Sequence, residues 1–268
     1  MAGRVTYLDL GPIGPTEAQA AGIEMDQLWL RGGFPRSLLA SDDASSLGWR
    51  HSFIRSYLER DVPMFAPRLP GAVIGRLWTM LAHAQGTMLN SARLALGLAV
   101  SAPMVVRYID LLVDLLLVRR LQPWSGNLGK RLIRTPKVYV RDAGLVHALL
   151  DIESINHLLS HPVIGASWEG FVIEALLAAA GPGAIPMYYR TRDGAEIDLV
   201  LERAGRVAFA IEIKRGTAPR VEPGFYIACD DVKAVRRIVV HGGEESYPAA
   251  HGAEVMSLPD AIAAVTDE

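Results

Sequence analysis

This sequence has very little cysteine, since Cys229 is the single one among 268 residues. One thiol excludes an internal disulfide and a zinc site built from several cysteines, so we expect the protein to work in a reducing cytoplasm. The formal net charge is only −2. A charge so near zero excludes a strong overall field that would draw the protein to nucleic acid or to a membrane. Any contact with nucleic acid must therefore come from a local basic patch.

The sequence also lacks a long uninterrupted apolar run. Its most apolar region, 94–118, is broken by Pro103, Arg107, Asp110 and Asp114. That region is amphipathic rather than membrane-spanning, and the N-terminus has no apolar core of the signal-peptide type. We therefore expect no membrane association. Half of the residues are hydrophobic and 21% are charged, which is ordinary for a globular protein and excludes a largely disordered one.

The first half of the chain has helical periodicity. A helix is predicted to start at Ser41 or Asp42, either of which is a good N-cap. Its apolar residues recur at three and four positions: Trp49, Phe53, Ile54, Tyr57 and Leu58. Its other face is expected to be solvated and to carry Arg50, Arg55, Glu59, Arg60 and Asp61.

Residues 70–150 are predicted to form a winged-helix domain. Three amphipathic helices are expected at 73–81, 92–98 and 101–116, and the short join at 97–101 has helix-turn-helix spacing. Two β-rich runs follow, at 117–124 and 137–140, and would form the wing.

Two surfaces of this domain could face DNA, the third helix and the wing, and they differ in charge. The third helix exposes Arg107 but also Asp110 and Asp114, which repel phosphate, and this is evidence against its entering a groove. The wing carries four cations with no acid among them, namely Lys130, Arg131, Arg134 and Lys137. They are predicted to contact nucleic-acid phosphates; the alternative is a loop that only improves solubility.

The chemically interesting residues come from 165–268, where the pattern predicts a helix, then a strand, a turn and a strand. Glu212 and Lys214 lie on one face of the last strand, and Asp198 lies on its predicted antiparallel partner. A carboxylate and an ammonium in an apolar strand are unfavourable unless they are paired or wet. The alternative is a sheet that merely carries a few charges.

In the functional interpretation, Asp198, Glu212 and Lys214 form a catalytic set. Asp198 and Glu212 would hold Mg²⁺ (or Mn²⁺), which needs few protein carboxylates. Lys214 would orient the attacking water or offset developing charge, and Glu169, on the preceding helix, would add a metal ligand or a second-shell hydrogen bond.

The chain resembles the C-terminal half of a group of prokaryotic AAA-type ATPases of unknown function. The resemblance rests on an ordered set of motifs: Gly-Gly-Phe-Pro at 32–35, Tyr57 through Asp61, Tyr108-Ile109-Asp110, Lys137-Val138-Tyr139, Asp142-Ala143-Gly144-Leu145, Gly165 through Phe171, Tyr189-Arg190-Thr191, Glu196-Ile197-Asp198 and Glu212-Ile213-Lys214. It implies an α/β (α+β) fold, in which a winged-helix segment precedes a PD-(D/E)xK, restriction-endonuclease-like α/β domain. It also places Asp198, Glu212 and Lys214 on the nuclease-pattern positions.

Such proteins carry an N-terminal ATPase with a phosphate-binding loop, and this sequence contains no G-x-x-x-x-G-K-[ST]. We therefore expect a truncated chain. In the full-length protein, ATP would bind only to the missing N-terminal ATPase domain, and that domain would be the partner of this chain. The expected organisation is an ATPase remnant or extension at 1–40, a linking helix at 41–69, the winged helix at 70–150, a linker at 151–164 and the nuclease-like domain at 165–268.

Two functions remain open at this point. The first is Mg²⁺-dependent phosphodiester hydrolysis of DNA by a nuclease-like domain coupled to the ATPase. The second is a non-catalytic nucleic-acid- or protein-binding module that regulates the ATPase.

Overall fold

The computed structural model describes residues 10–65, 69–126 and 131–267, and its fold is mixed α/β. The described strands form one sheet in the order β1-β3-β2-β4-β5-β6-β7-β9-β8. These strands are β1 Thr87–Met88, β2 Val118–Pro123, β3 Lys137–Val140, β4 Ile185–Arg190, β5 Glu196–Arg203, β6 Arg206–Ile213, β7 Arg236–His241, β8 Tyr247–Pro248 and β9 Ala253–Ser257.

Helices cover both faces of this sheet and build the N-terminal half. They are α1 Pro15–Ala20, α2 Met25–Arg31, α3 Pro35–Leu38, α4 Asp43–Ser56, α5 Val62–Phe65, α6 Gly71–His83, α7 Ser91–Leu98, α8 Ala102–Asp114, α9 Ala143–Leu149, α10 Ile155–Ser160, α11 Ile164–Ala180, α12 Pro223–Val232 and α13 Leu258–Thr266. A π-helical turn, Tyr57–Asp61, joins α4 to α5. The predicted start of α4 is confirmed, because the Asp42 side chain accepts a hydrogen bond from the Ser45 amide at 2.7 Å.

The predicted elements of residues 70–140 are present. Helices α6, α7 and α8 occur where the periodicity placed them, and Ala99 takes a left-handed conformation (φ 55°) in the join between α7 and α8. Strands β2 and β3 pair antiparallel, with Val118 opposite Val140. The two-residue β1 adds to the other edge of β3. The winged-helix interpretation of this set stays a prediction.

The sequence predicted that the hairpin β2–β3 forms a wing. In the structure this hairpin does not stand apart from the rest of the sheet. Strand β2 pairs in parallel with β4, where Gln122 lies opposite Met187 and Pro123 opposite Tyr188. This pairing makes the N-terminal hairpin and the C-terminal strands a single sheet. Its consequence is that side chains of β3 lie beside those of β5.

Apolar packing covers both faces of β6. Phe209 and Ile211 belong to the large core that also contains the buried residues of α11 and α13. Ala210 belongs to a second core with Phe225 and Cys229 of α12. Burial raises the pKa of the Cys229 thiol to about 12, so this residue is a passive core residue.

Within the described residues, no single helix is long and apolar enough to cross a membrane. The pair α7 and α8, bent by 101° at their join, meets the length and composition requirement only when the two helices are taken together.

Candidate functional site

Asp198, Glu212 and Lys214 meet at one end of the β5–β6 hairpin, as predicted. The antiparallel register places Leu199 opposite Ile211. Asp198 Oδ2 therefore reaches the backbone of β6 and accepts a hydrogen bond from the Ile213 amide at 2.9 Å. Lys214 Nζ lies 2.6 Å from Glu212 Oε1.

Glu212 is buried, whereas its partner Lys214 is partly exposed to water. Burial raises the pKa of Glu212 above its ordinary value, although Lys214 acts in the opposite direction. Burial alone would lower the pKa of Lys214, but its bond to Glu212 outweighs that effect and raises it. Glu212 is thus already paired with a cation from its own strand.

Glu169 of α11 points into the same region. Its Oε1 accepts hydrogen bonds from the Tyr139 hydroxyl at 2.5 Å and from Lys137 Nζ at 3.1 Å. Burial, reinforced by the nearby Asp198 charge, raises the pKa of Glu169 to about 7, although Lys137 and Tyr139 stabilise its charged form. Burial and Glu169 together raise the pKa of Tyr139 well above its ordinary value.

Lys137 of β3 lies at the centre of three carboxylates. Its Nζ is 3.0 Å from Glu196 Oε1, 3.1 Å from Glu169 Oε1 and 3.5 Å from Asp198 Oδ1. We call these three acids the carboxylate cluster. Burial would lower the pKa of Lys137, but the cluster outweighs burial and holds it above its ordinary value.

The predicted role of Lys137 in contacting phosphate has to be corrected. Only 3% of the residue is exposed, and its ammonium is paired with three carboxylates. A buried and paired cation is not available to a nucleic-acid backbone. Lys137 belongs instead to the region around Asp198, and the β2–β4 pairing brings it there.

Sequence reasoning missed the roles of Lys137, Tyr139 and Glu196. Glu196 had a local signal, because it lies two residues before Asp198 and therefore on the same face of β5. Lys137 and Tyr139 share a face of β3 by the same rule, but nothing local shows that β3 lies beside α11 and β5. Glu196 also binds Arg190 Nη1 at 3.2 Å.

The side chains around Lys137 do not have the geometry of the predicted Mg²⁺ site. Magnesium binds oxygens at about 2.0–2.1 Å, whereas the carboxylates of the cluster stand 3.0–3.5 Å from an ammonium nitrogen. In the part of the chain that the structure describes, no three His, Cys, Asp or Glu side chains are placed to hold a metal ion. With Lys137 in this position, the cluster fits an ammonium and does not fit Mg²⁺.

Two of the other predicted basic residues, Arg131 and Arg134, are exposed, and Lys130 lies outside the described residues. Residues 131–133 pair with 190–192, with Leu132 opposite Thr191. Arg192 donates its amide to the Arg131 carbonyl at 3.1 Å, so these two arginines lie opposite each other on the outer side. We call Arg131, Arg134, Arg190 and Arg192 the arginine surface.

A second group of buried polar residues, which we call the joint, connects the chain around Gly33 to the chain around Asp142. Asp142, just after β3, accepts hydrogen bonds from the amides of Gly33 and Leu145, both at 2.9 Å. Gly32 has φ 75°, and a Cβ there would lie 2.2 Å from Asp142 Oδ1. The Gly-Gly-Phe-Pro and Asp-Ala-Gly-Leu motifs are thus two halves of one structural contact.

Arg50 belongs to the same joint, and its predicted place on a solvated face is wrong. It is fully buried, and its Nη1 donates to the carbonyls of Gly144 at 2.7 Å and Leu30 at 3.1 Å. Burial lowers the pKa of Arg50 to about 10. The periodicity of α4 could not reveal this, because the covering residues come from α2 and α9.

His147 of α9 links the joint to α11. Its Nδ1 lies 2.9 Å from the Leu30 carbonyl and its Nε2 lies 2.7 Å from Ser167 Oγ. Ser167 also accepts a hydrogen bond from Trp29 Nε1 at 3.1 Å. Since Ser167 lies two residues before Glu169, this network fixes the helix that carries the third acid of the cluster.

Comparison with known proteins divides the chain in two. Residues 23–156 match a domain of unknown function, DUF8612, and residues 164–261 match a second, DUF4143. The second domain is found at the C-terminus of AAA-ATPase-like proteins, as the sequence resemblance implies. The carboxylate cluster therefore lies in the second matched region, and Lys137, which binds it, lies in the first.

Two relatives are uncharacterized proteins of Mycobacterium bovis and Mycobacterium tuberculosis. Each is 43% identical to this chain over 249 residues, which is 92% of this chain and 55% of the relative. The chain therefore spans about half the length of the curated relatives that it matches. No solved structure matches it.

Proposed function

Because this chain belongs to the family of the domain of unknown function DUF8612 and continues into a domain found at the C-terminus of AAA-ATPase-like proteins, we propose that it is a non-catalytic, DNA-binding regulatory module of an AAA-type ATPase. In this proposal a winged-helix segment precedes a PD-(D/E)xK-like domain. The ATPase is the intramolecular partner, and ATP acts through that part alone.

The observation that carries the non-catalytic part is the position of Lys137. A metal-dependent nuclease uses its carboxylates to hold a divalent cation. Here the ammonium of Lys137 is bound to Asp198 and to the two neighbouring acids, Glu169 and Glu196. The acids that would serve catalysis therefore have a structural cation as their partner.

The DNA-binding part rests on the arginine surface. Arg131 and Arg192 are exposed on directly opposed backbone segments, and like charges in this arrangement are destabilising. No carboxylate pairs with either guanidinium within the described ranges 10–65, 69–126 and 131–267. A phosphate backbone supplies the missing negative charge, and arginine binds phosphate through two parallel hydrogen bonds.

The test is fluorescence anisotropy with labelled single- and double-stranded DNA over a series of salt concentrations. In the double variant Arg131→Ala/Arg192→Ala, the slope of log affinity against log salt should decrease by about 2, because two phosphate contacts are lost. Arg206→Ala is the matched control, since this exposed arginine is the first residue of β6, at the other end of the β5–β6 hairpin from the cluster. If wild-type protein shows no affinity for DNA at low salt, the DNA-binding function is wrong.

A second candidate is Mg²⁺-dependent phosphodiester hydrolysis of DNA. It is supported by the meeting of Asp198, Glu212 and Lys214 at one end of a hairpin, on the positions of the nuclease pattern. The assay is cleavage of both DNA forms with Mg²⁺ or Mn²⁺ by wild type, Glu212→Ala and Lys214→Ala. Metal-dependent cleavage that both substitutions abolish would replace the non-catalytic proposal with this one.

A further inference from the structure

The acids that a divalent metal would need are held by a side chain of the protein itself. We propose that Lys137 is the resident cation of the carboxylate cluster, and that the cluster binds a divalent metal only when this ammonium is removed. The inference rests on the non-catalytic part of the proposed function, which uses the same position of Lys137, and deepens it by naming the cation that the buried cluster holds.

The geometry of Lys137 is that of a complete ammonium site. A lysine ammonium has three N–H donors and no acceptor. Three carboxylate oxygens from three residues surround this one, at 3.0, 3.1 and 3.5 Å. The ring of Tyr188 closes another side, with its centroid 5.7 Å from Nζ. Each N–H can therefore be matched with a separate anionic acceptor.

Two of the acids also make contacts with other parts of the protein. Asp198 Oδ2 accepts from the Ile213 amide, and Glu169 Oε1 accepts from the Tyr139 hydroxyl as well as from Lys137. To reach magnesium distances, the carboxylates would have to close in by about 1 Å. A dication held by the same carboxylates would also be strongly repelled by the Lys137 ammonium, which already occupies the space between them.

Charge explains why removal of Lys137 should turn the cluster into a metal site. Without the ammonium, three largely buried carboxylates from two separate elements, α11 and β5, would face one another, and Arg190, which binds Glu196 from the outer side, would be the cation left in contact with them among the described residues. Such a group is unfavourable until a cation is supplied or a proton is taken up. A hard divalent ion with oxygen ligands is the cation that carboxylates select.

The experiment is a titration of the full chain with MnCl2, followed by isothermal titration calorimetry and by thermal unfolding. Lys137→Met keeps an unbranched apolar side chain and removes the charge. We expect this variant to bind one Mn²⁺ per chain at least about tenfold more tightly than wild type, which is a clear difference on the affinity scale. Its Tm should rise with MnCl2, whereas the Tm of wild type should not change.

Two further variants make the result specific. Lys214→Met removes the other lysine of the region but leaves Lys137 in the cluster, so it should behave as wild type in MnCl2. Adding Asp198→Asn to Lys137→Met should abolish the gain in Mn²⁺ binding. The inference is overturned if wild type binds Mn²⁺ as tightly as Lys137→Met does, or if the folded variant gains no binding.

If Lys137→Met does not fold, Mn²⁺ binding by the wild-type protein still tests the inference. Wild-type binding of Mn²⁺ that Glu196→Gln or Asp198→Asn abolishes would overturn the inference, and absence of such binding would support it. Neither outcome depends on DNA affinity, so a failure here is distinguishable from a failure of the DNA-binding function, and the cleavage assay tests the non-catalytic part separately.

Discussion

Protonation of His147 should make the protein less stable below neutral pH. The imidazole is fully buried, and burial lowers its pKa from 6.5 to about 3. The Leu30 carbonyl can only accept, so the neutral ring carries its proton on Nδ1, and Nε2 accepts from the Ser167 hydroxyl. A second proton on Nε2 would face Ser167 Oγ, which already accepts from Trp29.

The size of the effect follows from linkage between protonation and unfolding. The folded state holds its pKa below that of the unfolded chain, so between these two values the unfolded state binds more protons. Stability therefore decreases as the pH falls below 6.5, by up to about 1.36 kcal/mol per pH unit. Between pH 7.5 and pH 5.0 the contribution of this one residue is about 2 kcal/mol.

The measurement is urea unfolding at these two pH values, followed by far-UV circular dichroism. His147→Asn can keep a donor for the Leu30 carbonyl but has no group that titrates here, so its pH dependence should be about 2 kcal/mol smaller. Ser167→Ala is the matched control, because it alters the same network and keeps the imidazole. The reasoning is refuted if His147→Asn retains the full pH dependence of wild type.

Two further predictions concern stability, and urea unfolding at neutral pH measures both. Lys137→Met without added metal should lower the free energy of unfolding by about 3–5 kcal/mol, because it leaves buried carboxylates unpaired. Lys214→Met should lower it less, because the Lys214 side chain is 37% exposed; equal losses would contradict the central position of Lys137. Gly32→Ala should cost at least about 2 kcal/mol, since its backbone is in a region nearly reserved for glycine and a Cβ would collide with Asp142. Gly183→Ala should stay within about 0.5 kcal/mol, because a Cβ there meets no atom within 4 Å; similar losses for the two glycines would refute this.

The parts of the fold that depend on short-range periodicity were predictable. The apolar spacing of Ile74, Leu77, Trp78 and Leu81 marks α6, and all four are buried. The hairpin β5–β6 follows from two apolar runs around a Gly-containing turn, and alternation along β6 correctly places Glu212 near Asp198. Both cases rest on rules that act within a few residues.

What could not be predicted depends on contacts between distant parts of the chain. The parallel pairing of Gln122 with Met187 has no local signature, and it decides that Lys137 is a buried ion-pair partner rather than a wing cation. Arg50 was misplaced for the same reason, since carbonyls of Leu30 and Gly144 cover it. In both cases the cation was expected to face solvent, but groups from other elements bind it through an ion pair or hydrogen bonds.

The pairing of β2 with β4 also has a consequence for synthesis of the chain. At roughly 5–20 residues per second, β2 leaves the ribosome several seconds before β4 and presents an unpaired edge during that time. Charged side chains on such an edge oppose association with other chains. Arg119 of β2 and Lys137 of β3 are both still unpaired then, since Glu174 and the carboxylate cluster come from α11 and β5. Arg119 and Lys137, which form ion pairs in the folded protein, would thus keep the unfinished β2–β3 hairpin soluble during synthesis.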